Sequence, residues 1–243
     1  MPTATNAVAS SLQALTEQYR LITDNLANVS TPGFKRKRVS FGQTLADAVG
    51  LGEPAPATGQ ISAISAVDFS QGPLTRTDKA LDLALEGTGF FTLQTVDGEL
   101  YTRCGKFRVN AQRQLVDPAG RIVGGDGGAP IVLPPTASTL DVQVSRDGTV
   151  RAGGATVGRL GIVSFSDLSK LVPEGNGCFQ ALPDAGRQDA KAGVLQGFVE
   201  GSNVSAVEEL VGLITVTRLY EANLKSISVQ DEQMKTILQV AMS

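Results

Sequence analysis

Near the start of the chain, apolar residues recur at Val8, Leu12, Leu15, Tyr19, Ile22, Leu26 and Val29, in steps that alternate four and three. Polar residues such as Gln13, Glu17, Gln18, Arg20 and Asp24 fill the positions between them. That spacing predicts an amphipathic helix with an unbroken heptad stripe. About 22 residues of helix would be roughly 33 Å long. Pro32-Gly33 stops it, because proline pushes Thr31 out of the helical region.

The other end mirrors this pattern. Ser202 or Asn203 can cap a helix, and Ser205 followed by Glu208 fits a capping box. Leu210, Leu213, Thr217, Tyr220, Leu224, Ile227, Asp231, Met234, Leu238 and Ala241 then follow the same alternation, with Thr217 and Asp231 as its breaks. Such a helix would run about 35 residues, roughly 50 Å. Long amphipathic helices are stable mainly through packing. The two ends are therefore either core helices of an ordinary globular domain, or stripes that pair with each other and with neighbouring copies. Their length favours pairing, since helices within single domains usually run shorter.

Between the ends the period changes. Residues 50–60 hold Gly50, Gly52, Pro54, Pro56 and Gly59 and read as a loop or mobile arm. Leu81, Leu83 and Leu85 alternate with Asp82 and Ala84, which predicts a half-buried strand. Asp97-Gly98 and Asp147-Gly148 each separate two β-prone runs and predict hairpins. No βαβ alternation is present, so the middle reads as a compact β-rich domain. The expected fold class is α+β, with long N- and C-terminal helices forming a coiled-coil core and with a β-rich middle domain. The expected divisions are an N-terminal helix over 1–33, a linker or extended arm over 34–70, a β-rich domain over 71–196 and a C-terminal helix over 197–243.

Composition narrows the chemistry. The 243 residues include no histidine, which removes Ser-His-Asp and Cys-His catalysis, histidine metal sites and histidine pH switching. Cys104 and Cys178 lack CxxC spacing; one bridge between them and two buried free thiols are both open. A net charge of −3 gives no bulk drive toward nucleic acid or anionic lipid. The first 15 residues carry no basic start and lead into no apolar run of signal-peptide length, so no cleaved signal is expected. No stretch is apolar for long enough to predict a transmembrane helix.

The remaining motifs carry little. Gly87-Thr88-Gly89 lacks the third glycine and following helix of a dinucleotide site. Gly124-Gly125-Asp126-Gly127-Gly128 reads as a flexible turn rather than a phosphate cradle. Asp78, Asp82 and Glu86 are acids of the type a glycosidase pairs, but nothing in sequence makes two of them converge. Lys35-Arg36-Lys37-Arg38 is the one dense charge run; a solvated linker, or a partner for acids on a neighbouring subunit, fits it better than a nucleic-acid patch. No catalytic residue, cofactor site or metal site is expected, and neither nucleic acid nor a small-molecule substrate is an expected partner.

Several blocks resemble one known family. Asn25-Leu26-Ala27-Asn28-Val29-Ser30-Thr31-Pro32-Gly33-Phe34-Lys35 resembles the motif at the N-terminal helix end of the flagellar rod and hook family. Glu86-Gly87-Thr88-Gly89-Phe90-Phe91 and Tyr101-Thr102-Arg103-Cys104-Gly105-Lys106-Phe107 resemble its central β-region. Gly197-Phe198-Val199-Glu200-Gly201-Ser202-Asn203-Val204 and Arg218-Leu219-Tyr220-Glu221-Ala222-Asn223 resemble its C-terminal helix. Cys104 departs from the family pattern, standing where a polar residue is common, and Pro32 stands where Asn or Thr would be unsurprising. The resemblance implies a non-enzymatic subunit of the bacterial flagellar basal-body rod, a hollow axial tube that crosses the periplasm and transmits torque. It also implies delivery by the flagellar type III export apparatus and contacts with copies of itself and with neighbouring rod or hook subunits. The short segment between Phe41 and Asp68 leans toward the proximal-rod type, while Phe34-Lys35-Arg36 and Tyr220-Glu221-Ala222-Asn223 fit the distal type as well.

On this reading the assembly interface comprises Leu12, Leu15, Tyr19, Ile22, Leu26, Leu213, Tyr220, Leu224, Ile227, Met234 and Leu238. Asn25, Asn28, Thr31, Gly33 and Phe34 form the motif through which the chain leaves the N-terminal helix. A cytoplasmic coiled-coil adaptor with a β binding domain and a cell-wall hydrolase are the rival readings.

Overall fold

Alternating steps of three and four residues give the chain its two helices, α1 (Pro2–Ala27) and α2 (Ala206–Ala241). The computed structural model describes residues 2–43 and 61–241. The loop or arm expected over residues 50–60 lies outside the described residues. Two compact units divide the chain.

The first unit comprises the described parts of Met1–Ala27, Lys37–Asp68 and Ser205–Ser243. In it α1 lies against α2 and against a hairpin of β1 (Lys37–Gln43) and β2 (Ile61–Val67). These two strands pair antiparallel in full register, Lys37 opposite Val67 and Gln43 opposite Ile61. Ala14, Leu21 and Ile22 of α1 and Val216 of α2 are buried.

The second unit comprises Asn28–Arg36 and Phe69–Val204. Its strands begin with β3 (Leu74–Arg76), β4 (Leu83–Glu86), β5 (Phe90–Thr95) and β6 (Gly98–Thr102). Three short strands follow, β7 (Arg108–Val109), β8 (Leu115–Val116) and β9 (Ile122–Val123). Next come β10 (Val142–Val144), β11 (Thr149–Ala152), β12 (Ala155–Arg159) and β13 (Ile162–Phe165). The last are β14 (Leu171–Gly175), β15 (Cys178–Ala181), β16 (Arg187–Asp189), β17 (Gly193–Gln196) and β18 (Phe198–Glu200).

A nine-stranded sheet runs β14-β15-β6-β5-β9-β8-β7, with β13 joining β5 to β16. Asp97-Gly98 makes the β5–β6 turn and Asp147-Gly148 the β10–β11 turn, both antiparallel. The second turn is held locally, because the Asp147 carboxylate accepts from the Thr149 amide at 3.1 Å and hydroxyl at 2.7 Å. Two smaller pairings bring distant sequence together, β17 on β4 and β18 on β3. The core is aliphatic around Leu83, Leu85, Leu93, Val123, Ile131 and Leu160, with Phe91 edge-on to Phe107 at 5.1 Å.

The expected fold class needs correction. The middle is β-rich, but no long N-terminal helix forms a coiled-coil core. Among the described residues there are two α-helices, and α1, at 26 residues, is the shorter of the two, against 36 for α2. A coiled coil seats each stripe residue in a hole of its partner, and these stripes are not so seated. In α1 the adjacent pair Leu21 and Ile22 is buried while Tyr19, central to the expected stripe, is exposed. In α2 Val216 is buried, whereas Leu210, Tyr220 and Leu224 of the stripe are exposed. The physical reason is that α1 shares its apolar surface between α2 and the β1–β2 hairpin. Its buried face therefore follows a globular helix and not a single seam.

Candidate functional site

Two places in the molecule collect the residues that sequence singled out, and each lies within one unit. The first is the helix pair. Ile22 reaches α2 at Gly212, where an added Cβ would sit 3.3 Å from the Ile22 Cδ1. A cleft of about 260 Å³ opens between the helices, lined by Leu15, Thr16 and Tyr19 of α1 and Val216, Thr217 and Tyr220 of α2.

Of the expected interface positions, Ile22 is buried, and Leu12, Leu15, Leu26, Leu213 and Ile227 are half-buried. Tyr19, Tyr220 and Leu224 are exposed. Met234 and Leu238 lie in α2, with side chains outside the described residues. Leu21 and Val216, the most deeply enclosed apolar residues described in the pair, stand one position from the heptad stripe and were missed for that reason.

Among the described residues, much of the apolar surface of α2 is left uncovered. Val207, Leu210, Val211, Ile214, Leu219, Leu224 and Val229 are between 45% and 72% exposed. The threonines among them do not compete for solvent hydrogen bonds. Thr215 donates its hydroxyl to the Val211 carbonyl and Thr217 to that of Leu213, each at 2.8 Å. A hydroxyl satisfied within its own helix can be covered without leaving an unmet donor. Thr217, which looks like a break in the apolar stripe, therefore costs a packed surface little.

The end of α1 is tied to the hairpin. Asn25 is buried, donates through Nδ2 to the Lys37 carbonyl at 2.8 Å and accepts the Lys37 amide on Oδ1 at 2.9 Å. The Lys37 ammonium meets Asp24 at 2.7 Å, and Arg38 meets Asp68 at 2.7 Å.

The second place is in the β unit, where the exit segment and the strand before α2 meet. The Asn28 carbonyl accepts the Thr31 amide, and the Thr31 hydroxyl lies 3.1 Å from Asn28 Oδ1. The Thr31 carbonyl then accepts the Phe34 amide at 3.2 Å, closing a tight turn. Gly33 adopts φ +71° in that turn and donates its amide to the Glu200 carbonyl at 2.8 Å. A Cβ here would lie 2.3 Å from the Cys104 amide nitrogen, so glycine is required by conformation and by space alike. Phe34 is buried beyond it. The Arg36 amide donates to Asn203 Oδ1 at 2.7 Å, and the Asn203 amide group donates to the Ser70 carbonyl at 3.1 Å.

At the centre is a buried ionic cluster. Lys35 donates from Nζ to Glu200 Oε1 and to the Ser70 carbonyl, each at 2.6 Å. Arg103 approaches Glu200 Oε2 at 3.3 Å, donates to the Gly87 carbonyl at 2.8 Å, and stacks over the Phe90 ring at 5.3 Å. The Gly72 amide donates to Glu200 Oε1 at 3.0 Å. Lys35 and Glu200 side chains are fully enclosed. Burial pushes the Arg103 guanidinium below its ordinary pKa, and the Glu200 carboxylate opposes that shift. Neither Arg103 nor Glu200 was singled out from sequence as a site residue. The signal available was their place in two of the family-like blocks.

This geometry disposes of the basic run as one external patch. Lys35, Lys37 and Arg38 each find an acid of the same chain, in Glu200, Asp24 and Asp68. The cysteines are free thiols, Cys178 buried and Cys104 partly so, and burial pushes both thiols above their ordinary pKa.

Comparison with known proteins identifies the family. Residues 195–240 match the family model for the flagellar basal body rod FlgEFG protein C-terminal region, a stretch that holds Glu200, Asn203 and nearly all of α2. Residues 84–152 match that of the flagellar hook protein FlgE/F/G D1 domain, which holds Arg103. The chain is 36% identical over 213 residues to flagellar basal-body rod protein FlgF of Caulobacter vibrioides, covering 87% of this chain and 86% of that protein. It is 33% identical to flagellar basal-body rod protein FlgG of Buchnera aphidicola subsp. Schizaphis graminum over 260 residues, covering 94% and 96%. To FlgG of Caulobacter vibrioides it is 31% identical, covering 98% of each chain. With relatives of both types matched along nearly their whole length, this chain belongs to the flagellar basal-body rod proteins of the FlgF/FlgG type.

Proposed function

We propose that the chain is a structural subunit that polymerises through its terminal helices into the hollow axial filament of the basal-body rod and transmits torque along it. The observation that carries this reading is the uncovered apolar surface of α2. Val207, Leu210, Val211 and Ile214, at helical spacing on one face, form exposed apolar surface of the kind that marks an interaction site. Seven partly exposed aliphatic side chains offer roughly 5–10 kcal/mol of gross burial on docking, before ordering costs. Family membership supports the choice of partner: other copies and neighbouring rod or hook subunits, with the flagellar export apparatus delivering the chain.

In this reading Leu12, Leu15, Tyr19, Leu213, Tyr220 and Leu224 contribute to the contact between subunits, and the cleft between the helices receives side chains of a neighbour. Contacts of one surface with a different surface on the next copy propagate without closing, which yields a helical filament. Asn28, Thr31, Gly33 and Phe34 set the path by which the chain passes from α1 into the β unit.

Leu224→Glu tests the reading. The side chain is exposed, so the purified monomer should keep its circular dichroism and unfolding midpoint, because surface changes usually shift stability by less than about 0.5 kcal/mol. Burying an unpaired carboxylate in a subunit contact is costly, and rod assembly and motility should be lost in cells carrying the variant. Normal rods built from Leu224→Glu would overturn the proposal.

A further inference from the structure

The buried cluster of the β unit has an unusual construction, with two cations, one carboxylate, and backbone groups from four separate stretches. Glu200 alone accepts from Lys35, Arg103 and the Gly72 amide, while its own carbonyl accepts from Gly33. Lys35 and Glu200 are 165 positions apart. One precedes every strand of the unit and the other ends the last of them, β18.

Buried ion clusters are poor sources of stability, since well-packed apolar side chains of similar volume often do as well or better. What they create is dependency. A cluster missing one partner is far worse than a cluster absent altogether, because the remaining charge stays buried and unpaired. Here the dependency links the two outermost segments of the unit to its central strands. Arg103 follows β6, leans on Phe90 of β5, and bonds to Gly87.

We infer that Glu200 is a completion lock: the β unit closes only when the segment after α1 and the segment before α2 are both in place, and its ends and central sheet then open and close as one. A chain without the segment before α2 would leave Lys35 and Arg103 without the carboxylate they share, and a chain without the segment after α1 would leave Glu200 to Arg103 alone and its carbonyl without the Gly33 amide; in either case the sheet would stay open. This inference stands on the β unit alone and does not require the assembly reading above.

Hydrogen exchange and urea unfolding of the full-length chain test it. In the wild type, amides of residues 33–36, 70–76 and 198–203 should exchange through the same opening as those of β5 and β6. Glu200→Gln, which takes from both cations the carboxylate they share, should lower the folding equilibrium constant at least ~100-fold and deprotect all these segments together. The triple variant Lys35→Met, Arg103→Met and Glu200→Met keeps side-chain bulk and removes every charge. It should recover stability to within about tenfold of wild type, and its end segments should open separately from the sheet. The lock is overturned if Glu200→Gln loosens only residues 198–203. It is equally overturned if the triple variant is no more stable than Glu200→Gln, or if its ends still exchange only with the whole sheet. The triple variant alone decides the matter should Glu200→Gln fail to fold.

Discussion

Gly33 and Gly105 show how closely single residues are constrained. At Gly33 a side chain meets backbone at 2.3 Å in a left-handed conformation, and at Gly105 an added Cβ would lie 1.6 Å from the Leu83 carbonyl oxygen. Gly120 also has positive φ, +88°, but faces open space. Alanine at Gly120 should therefore cost only backbone strain, about 1 kcal/mol. At Gly33 or Gly105 it should cost at least ~3 kcal/mol, because backbone must move. Urea unfolding of the three variants checks the order. The thiols supply a second test. Burial raises both in the folded state above their unfolded value, so the folded protein holds protons that the unfolded chain has lost once pH passes the ordinary thiol range near ~8.5. Stability from this source is complete below that range and declines as pH rises through it. Unfolding midpoints from neutral to alkaline pH should fall less steeply in Cys178→Ala than in wild type. At this scale sequence revealed Gly33 but not Arg103 or Glu200. A glycine between proline and phenylalanine announces a turn, whereas a buried ion cluster joins residues whose separation leaves no local trace.

The helices and hairpins are the scale at which pattern speaks most clearly, and also where it misled. Asp97-Gly98 and Asp147-Gly148 mark real turns because the signal and the structure are equally local. Apolar periodicity located both helices, since only their own spacing was needed. Which face is covered depends on neighbours, and the β1–β2 hairpin competes for α1 in a way no stripe records. Val216 is enclosed while Leu224, on the regular stripe, is not. The first half of α2 is also dense in β-branched residues, with Val207, Val211, Ile214, Thr215, Val216 and Thr217, which weakens intrinsic helicity. A peptide of residues 205–241 should accordingly be well under half helical in water by circular dichroism. A fully helical peptide would mean that α2 needs no packing to form.

Across the whole molecule the two units differ in what holds them. The β unit owns an extensive aliphatic and aromatic core, while the described residues of the helical unit leave a large part of α2 uncovered. Local stability follows buried apolar contact. Amides of residues 206–229 should therefore exchange at least ~100-fold faster than those of β5 in the isolated protein, and slow on incorporation into rods. Equal protection would argue for a self-sufficient globular protein. Chain order hides this division, because each unit is assembled from separated stretches. The β unit takes in Asn28–Arg36, a segment that the sequence reading divides between the N-terminal helix over 1–33 and the linker over 34–70.

The aromatic placement also gives the molecule a built-in optical readout. The chain has no tryptophan and three tyrosines. Tyr101 stands edge-on to Phe165, 4.8 Å away, beside the cluster of Phe69, Phe90 and Phe179 in the β unit. Tyr19 and Tyr220 both line the cleft of the helix pair. Near-ultraviolet dichroism of the native protein should thus come chiefly from Tyr101, held in a fixed asymmetric setting. Emission from Tyr19 and Tyr220 would change when another subunit covers the cleft. A Tyr101→Phe chain would then be a label-free sensor of assembly, and a Tyr19→Phe, Tyr220→Phe chain one of β-unit folding, with no foreign dye attached to either.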